Sequence, residues 1–125
     1  MDRYDPLIEP DPDEWLALDE QERIHLIAQY HKKKKIRLPN VQVHAAFAAI
    51  VENQCALRDE TPVKRTLDRL VREGLDRHDA IHAVGMVLIE HMQNIRNGEL
   101  TDDDVNRPYF DALETMSAKK WLDYA

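Results

Sequence analysis

Apolar residues recur along this chain every three to four positions, which is the spacing of one face of an α-helix. The longest stretch of this kind covers residues 77–97. Its apolar positions are Ile81, Val84, Leu88, Met92 and Ile95. Shorter stripes of the same period occupy residues 20–34, 41–58 and 62–74, whereas the alternation typical of β-strands is nearly absent. The pattern therefore predicts an all-α protein.

Residues that begin and end helices divide these stripes. Asp11 before Pro12 is typical of a helix start, because aspartate accepts a hydrogen bond from a free backbone amide and proline fits the first helical position. Asn40 and Asp76 are expected to cap later helices, and Gly74 is expected to end one. Since short connections favour antiparallel neighbours, we predict a compact helical bundle of five to six helices.

The whole chain, residues 1–125, has the size of one helical domain. Residues 1–11 are acidic and proline-rich, so we expect an extended N-terminal arm before the first helix. Cys55 is the lone cysteine, which excludes an internal disulfide. The sequence does not begin with a signal peptide, and no apolar run reaches the ~20 residues of a membrane span. These features favour a cytoplasmic protein.

The formal net charge of −7 argues against nucleic acid as a partner, because such binding depends on neutralising phosphates. The basic tract at residues 32–37 is an exception, but it falls at the end of a predicted helix, where positive charge complements the helix dipole. We therefore expect neither nucleic acid nor a membrane as a partner. An unidentified protein or a second copy of this chain stays open.

His78 and His82 stand four residues apart in the most apolar predicted helix. Two histidines at this spacing share a helix face and can bind one zinc ion. In zinc proteases a glutamate follows the first histidine as general base, but here Asp79 follows it, and Leu88 stands where a third histidine would be. Capping explains Asp79 better, since an acidic residue in the first turn complements the helix dipole.

Helical positions suggest that other polar residues meet this pair. A rotation of about 100° per residue places His78 and His82 on a flank of the apolar face of their helix. In the helix predicted for residues 41–58, His44 lies on a flank of the apolar stripe and Gln54 lies in its middle. A buried amide without partners costs about 1–3 kcal/mol. We therefore expect one cluster between three helices, made of His31, His44, Glu52, Gln54, His78 and His82.

Three interpretations of this cluster stay open. In the first it is a structural network, in which the histidines bond to Gln54 and to backbone carbonyls and no cofactor is present. In the second it binds a divalent metal, with Zn²⁺ as the candidate. The metal ligands would be His78, His82 and His44, with Glu52 and His31 as alternatives. In the third, an anionic ligand binds the helix N-terminus at Arg77 and His78.

Two segments of the sequence resemble a family of small bacterial all-α proteins. They are V-E-N-Q at residues 51–54 and G-L-D-R-H-D-A-I-H-A-V-G at residues 74–85. The family pattern is V-E-N-Q … G-L-x-R-H-[DE]-A-I-H-A-[IV]-G, and the likeness covers roughly residues 40–92. It implies a bacterial helical domain of unknown function and transfers no activity. The residues that match the family pattern are Glu52, Gln54, His78 and His82.

The sequence alone favours a non-enzymatic interaction or regulatory domain with a buried His/Gln polar network. Its contact sites would be the aromatic residues Trp15, Tyr109 and Trp121, together with the acidic ends of the chain. The alternative is a divalent-metal-binding protein or a metal-dependent hydrolase that uses the histidine pair. The two differ in geometry, because metal ligands converge on one point, whereas a network places histidine nitrogens within hydrogen-bond distance of Gln54 or backbone groups.

Overall fold

The computed structural model describes residues 1–34, 40–99 and 104–124. Within these ranges all regular structure is helical, which confirms the all-α class. The described residues form seven α-helices, and one turn of 3-10 helix, Arg58–Glu60, follows the third. The helices are α1 (Pro12–Ala17), α2 (Glu20–Lys33), α3 (Val41–Ala56), α4 (Val63–Arg72), α5 (Arg77–Arg96), α6 (Arg107–Thr115) and α7 (Ala118–Tyr124).

The prediction of five to six helices was too low, since the described ranges hold seven. The difference arises at the two ends of the chain, where two non-helical residues separate consecutive helices. Leu18 has ψ 150° between α1 and α2, and Met116 has ψ 139° between α6 and α7. Ser117 then caps α7, because its hydroxyl oxygen accepts a hydrogen bond from the Lys120 amide at 3.1 Å.

The predicted caps are present at the helix starts. Asp11, Asn40 and Asp76 each accept a hydrogen bond from the backbone amide three residues later, at 3.1, 3.2 and 2.7 Å. Asp79 supplies that amide in α5, which agrees with its place in the first turn. Gly74 has φ 116° after the end of α4, a conformation that glycine adopts without steric cost. These local signals determine where α5 begins, and hence where its histidines lie along the helix axis.

Helix α3 lies at the centre of the bundle and contacts α1, α2, α4 and α5. Its neighbours α2 and α5 both run antiparallel to it. On the α5 side, His44 contacts His82 and, further along α3, Glu52 contacts Arg77. As the residue numbers increase along α3, the numbers of the residues that they contact on α5 decrease, so the two helices are antiparallel. Between α2 and α3, Arg23 bonds Asn53 and the rings of His31 and His44 touch, which gives the same direction.

The N-terminal segment before α1 is held against the bundle. Tyr4 and Pro6 are buried, and the Tyr4 hydroxyl donates a hydrogen bond to the Glu52 carboxylate. The Pro6 carbonyl accepts a hydrogen bond from Arg77 at 3.0 Å. Glu9 forms an ion pair with Lys64 at 2.8 Å. The arm thus contacts the C-terminal part of α3 and the start of α5, where Arg77 precedes His78.

Several side chains differ from their predicted exposure. Met92 and Ile95, expected in the core, are 47% and 40% exposed. Trp15 and Tyr109, expected as contact sites, are buried at 0% and 1% exposure, so they cannot contact a partner. His91 is buried and stacks on Tyr109 with ring centroids 5.5 Å apart. The packing of α6 against α5 accounts for both Tyr109 and His91.

Some features of the sequence fall outside the described residues. The proline at position 39 predicts a chain break at residues 38–40, and residues 101–104 are predicted to form one helical turn, but of these segments only Asn40 and Asp104 are described. The end of the basic tract at residues 35–37 is also outside. Among the helices that are described, none combines the length and the apolar character needed to cross a membrane.

Candidate metal centre

Four histidines from three helices meet at one place in the bundle. His31 comes from α2, His44 from α3, and His78 and His82 from α5. Their rings form a closed circuit, with centroid separations of 5.0 Å for His31–His44, 4.7 Å for His44–His82, 4.5 Å for His78–His82 and 5.7 Å for His31–His78. The predicted convergence of these histidines between three helices is therefore observed.

The arrangement follows from helix geometry. His78 and His82 lie one turn apart on α5, so both rings project from the same face. That face of α5 contacts the N-terminal part of α3 and the C-terminal part of α2, because α2 and α5 both run antiparallel to α3. His44 stands in the first turn of α3, and His31 in the last turn of α2. Antiparallel packing thus brings the end of α2 together with the starts of α3 and α5.

His31 is held as a ligand-ready imidazole. It is 2% exposed, and its Nδ1 lies 2.9 Å from the Ile27 carbonyl oxygen. A carbonyl only accepts, so Nδ1 carries the hydrogen and Nε2 presents its lone pair when the ring is neutral. In metal sites a ligating histidine commonly donates its other N–H to a backbone carbonyl in this way. This contact therefore orients Nε2 toward the cluster.

The nitrogens in the cluster are incompletely satisfied. Nε2 of His31 and Nε2 of His78 are buried and have no hydrogen-bond partner among the residues described, as is also the case for Nε2 of His91, which lies outside the cluster. His44 and His82 share one contact, with Nε2 of each 3.0 Å apart. Only one of these two nitrogens can donate in that contact. Since an unpaired buried polar atom costs on the order of 1–3 kcal/mol, the cluster needs an explanation beyond packing.

The geometry brings three histidines close to a common point. One nitrogen from each of His31, His78 and His82 lies within 4.8 Å of the other two. Two nitrogens bound to the same tetrahedral zinc at about 2.0–2.1 Å would be about 3.3 Å apart. The separation of 3.0 Å between His44 and His82 is already near that value.

Burial and mutual repulsion keep these imidazoles in the form that binds metals. Burial is the main cause that lowers the pKa of His44 and of His78, and neighbouring histidines lower both further. Burial, followed by His78, His44 and His31, lowers the pKa of His82 to about 4. Asp76 acts in the opposite direction on His78 and His82. At neutral pH these rings are uncharged, and a neutral imidazole is the ligating form.

Glu52 does not face the histidines. It is 1% exposed, and its carboxylate receives two hydrogen bonds from the Arg77 guanidinium at 2.7 and 2.8 Å. The Tyr4 hydroxyl is a third donor. Burial, together with the Glu52 charge, raises the pKa of Tyr4, which keeps this phenol protonated as a donor. Glu52 is thus part of a buried ion pair, and the expectation that it joins the histidine cluster was wrong.

Gln54 also lies apart from the histidines. Its side-chain oxygen accepts a hydrogen bond from the Tyr109 hydroxyl at 2.7 Å, on the side of α3 that faces α6. The amide does have a buried partner, as expected, but the partner is a tyrosine rather than a histidine. The histidines thus lack the glutamine that a structural network would have used.

The guanidinium that would bind an anionic ligand at the start of α5 already has partners within this chain. The Arg77 guanidinium bonds Glu52, the Pro6 carbonyl and the Cys55 sulfur. It is therefore committed to groups of this chain at the start of α5. The neighbouring His78 turns toward His31 and His82. The two side chains point to different surroundings and do not form one anion site.

A small apolar pocket adjoins the histidine cluster. Its volume is about 140 Å³. The residues that line it are His44, Phe47, Ala48, Ile81, His82, Gly85, Met86, Ile89 and Trp121. The imidazoles of His44 and His82 supply its polar atoms from the side of the cluster, and the Trp121 ring lies 6.3 Å from that of His82. The cluster therefore has one side that opens onto a shaped, apolar space.

Two aromatic residues near the cluster were not expected from the sequence. Tyr30 packs edge-on against His31 and His78, with centroids 5.5 and 5.7 Å apart. Trp121 covers the opposite side, over His82. Tyr30 follows from its place beside His31 on α2, but the contact of Trp121 depends on where α7 packs. Helical periodicity could not have shown that contact.

Comparison with known proteins found no matching family model, no matching curated protein and no matching solved structure. The resemblance to a family of bacterial helical proteins therefore stays a prediction. In the structure the four residues of its V-E-N-Q segment serve helix packing. Glu52 bonds Arg77, Asn53 accepts from Trp15 and Arg23, and Gln54 accepts from Tyr109.

Proposed function

We propose that this protein binds a divalent transition-metal ion, with Zn²⁺ as the leading candidate, through its histidine cluster. His31, His78 and His82 supply the ligands, and His44 lies beside the ion as a fourth ligand or as a partner of the group bound there. An all-imidazole donor set suits zinc, copper, iron and nickel better than the oxygen-seeking magnesium or calcium.

The observation that carries this proposal is the pair of buried, unpaired Nε2 atoms on His31 and His78. In a structural network these atoms would bond Gln54 or backbone groups, but Gln54 bonds Tyr109. A metal ion accepts lone pairs from all these nitrogens at once, which removes the cost of burying them unpaired. It also gives a role to the contact of His31 with the Ile27 carbonyl.

The surroundings support a cation at this place. Burial lowers the pKa of His44, His78 and His82, so proton competition for these three histidines is weak at neutral pH. The charges of Asp5, Asp76 and Asp79 act on His78. These carboxylates lower the electrostatic energy of a positive ion at the cluster. These carboxylates are not part of the ligand set, so they attract the ion without occupying its coordination positions.

A set of three histidines leaves one position of a tetrahedral ion for water or a substrate, as catalytic zinc sites do. A zinc-bound water there would have a lowered pKa and could act as a nucleophile at neutral pH. His44 is then placed to hydrogen-bond that water or to exchange a proton with it. The proposal therefore includes hydrolytic chemistry as an extension of metal binding, and metal binding is its testable base.

Titration calorimetry of the tag-free, EDTA-treated protein with Zn²⁺ tests the proposal. We expect one ion per chain, and single substitutions His31→Ala, His78→Ala and His82→Ala should each weaken binding by at least about 100-fold. His25→Ala is the matched control, because His25 is an exposed histidine on the same helix as His31. Its affinity should equal that of the unaltered protein.

Two results would count against the metal site. One is the absence of heat at one equivalent of Zn²⁺ or Co²⁺ with a folded protein. The other is an equal loss of affinity in His25→Ala and in His31→Ala, which would mean that zinc binds histidines at the surface. Circular dichroism of each variant shows whether the helices are intact, so loss of the fold is not mistaken for loss of a ligand.

A second function, an interaction domain without a metal, is supported by the exposed apolar side chains of α5. Ile89, Met92 and Ile95 are 36–47% exposed along one helix. Apolar patches at a surface are typical of contacts with another protein. Under this alternative the chain forms a complex or dimer in the absence of metal, which sedimentation analysis of the EDTA-treated protein measures directly.

A further inference from the structure

The pocket beside the histidines is large enough to hold a benzene ring. Its volume of about 140 Å³ is close to the roughly 150 Å³ of an engineered apolar cavity known to bind benzene. Phe47, Ile81, Met86, Ile89 and Trp121 supply most of its wall. Every residue described around it is uncharged or a histidine. Such a space favours the apolar part of a ligand and disfavours a charged one.

Glycine at position 85 helps to keep this space open. Gly85 is buried in the middle of α5, one turn after His82, and it lines the pocket. A Cβ atom built on Gly85 would meet nothing within 4 Å. A side chain would therefore fit there and would occupy the pocket. Glycine is costly inside a helix, by about 1 kcal/mol relative to alanine, so its presence here is consistent with a space used by a ligand.

The histidines at one edge of the pocket determine which chemical group of the ligand would lie next to them. Imidazole ligands are neutral, so a divalent ion bound by them keeps its full charge at the border of an apolar space. An anionic donor at the open position neutralises part of that charge, and this attraction is stronger beside apolar side chains than in bulk water. The donor atom must stand next to the apolar group, because His44 and His82 line the pocket directly.

We propose that the pocket binds the benzene-sized apolar part of a small organic anion, such as an aromatic carboxylate, whose anionic group binds the metal ion held by the histidines. This inference rests on the proposed metal site and specifies the class of its ligand. The ring lies between Gly85 and Trp121, and the carboxylate points to the edge formed by His44 and His82.

The Co²⁺-loaded protein provides the test, because the visible spectrum of cobalt changes when its ligands change. Benzoate and acetate carry the same donor and differ in the ring. We expect benzoate to bind about 10- to 100-fold more tightly than acetate, as burial of one aromatic ring predicts. In Gly85→Leu, which fills the pocket, this ratio should fall to about one while Co²⁺ stays bound. Gly85→Ala is the matched control with a smaller side chain.

The outcomes separate this inference from the metal site. If the protein binds no Co²⁺, the proposed function fails and the inference falls with it. If Co²⁺ binds but benzoate and acetate have equal affinity, only the inference is overturned. Trp121→Ala is a second variant in case Gly85→Leu does not fold, and it should also reduce the benzoate preference by removing one wall. An unchanged preference in a folded variant of either kind contradicts the assigned pocket.

Discussion

At the scale of single residues, the buried ion pair of Glu52 and Arg77 joins α3 to the start of α5. Two charge-assisted hydrogen bonds join the carboxylate to the guanidinium, and Tyr4 donates a third bond. Glu52 is 1% exposed, so its charge depends on these donors. The contact also holds the N-terminal arm, since the same guanidinium bonds the Pro6 carbonyl.

Removing one partner of this pair should be severe. We expect Arg77→Met to lower the free energy of unfolding by about 3–5 kcal/mol, because it leaves a buried carboxylate without its counter-charge. Urea denaturation measures the change. The double variant Arg77→Met/Glu52→Gln is the control and should lose less than Arg77→Met alone. A loss below about 1 kcal/mol in the single variant would show that Glu52 is not dependent on Arg77.

The hydrogen bond between Gln54 and Tyr109 allows a sharper test by a double-mutant cycle. We expect Gln54→Ala to destabilise the protein by about 1–3 kcal/mol, since the buried Tyr109 hydroxyl loses its acceptor. In a Tyr109→Phe background the same change should cost clearly less, because that hydroxyl is no longer present. Equal costs in both backgrounds would contradict the contact.

These residues also show what the sequence could and could not predict at this scale. The need of Gln54 for a buried partner followed from its place in an apolar stripe. Which residue would meet it did not, because helical angles describe one helix and not the rotation of its neighbours. Glu52 shows the same limit. Its angle placed it on the flank of α3, and only the packing of α5 and the arm determines that it meets Arg77.

At the scale of elements, helix ends were the most predictable feature. The caps at Asp11, Asn40 and Asp76 depend on contacts three residues away, so the sequence contains all the information they need. Burial along α5 was less predictable. Met92 and Ile95 continue the apolar period of α5 but are exposed, whereas their neighbour His91 is buried against Tyr109 of α6.

The three helices that meet at the histidines should respond together to pH. In the metal-free protein the pKa of His82 is about 4, well below its ordinary value of about 6.5. As pH falls below about 6.5, the unfolded chain takes up protons that the folded cluster resists, so stability decreases down to about pH 4. Above the ordinary pKa both states are neutral and His82 adds no pH dependence. The shift reflects burial and His78, His44 and His31, with Asp76 opposing.

Urea denaturation in EDTA at several pH values between 7 and 4 measures this effect. A His82→Leu variant should lose less stability than the unaltered protein over the same range, because it lacks the most strongly shifted histidine. His25→Ala should follow the unaltered protein, since His25 is exposed. Parallel curves for all three proteins would mean that carboxylates, and not the cluster, account for the acid sensitivity.

At the scale of the whole molecule, the proposed metal site lies where three helices of the bundle meet. Helices α2, α3 and α5 each bring at least one histidine to it, and the N-terminal arm closes the neighbouring helix ends. A ligand that binds only the folded state stabilises it by mass action. Metal binding at the proposed site would therefore stabilise the packing of the helices that form the centre of the fold.

The X-ray absorption spectrum of the tag-free protein loaded with one equivalent of Zn²⁺ tests this claim most directly. We predict three to four nitrogen neighbours at about 2.0–2.1 Å, with the outer-shell scattering of imidazole rings. The His31→Ala variant should lose one imidazole from that count. A zinc environment of oxygen atoms without imidazole scattering, or a spectrum that is the same in His31→Ala, would contradict the proposed site.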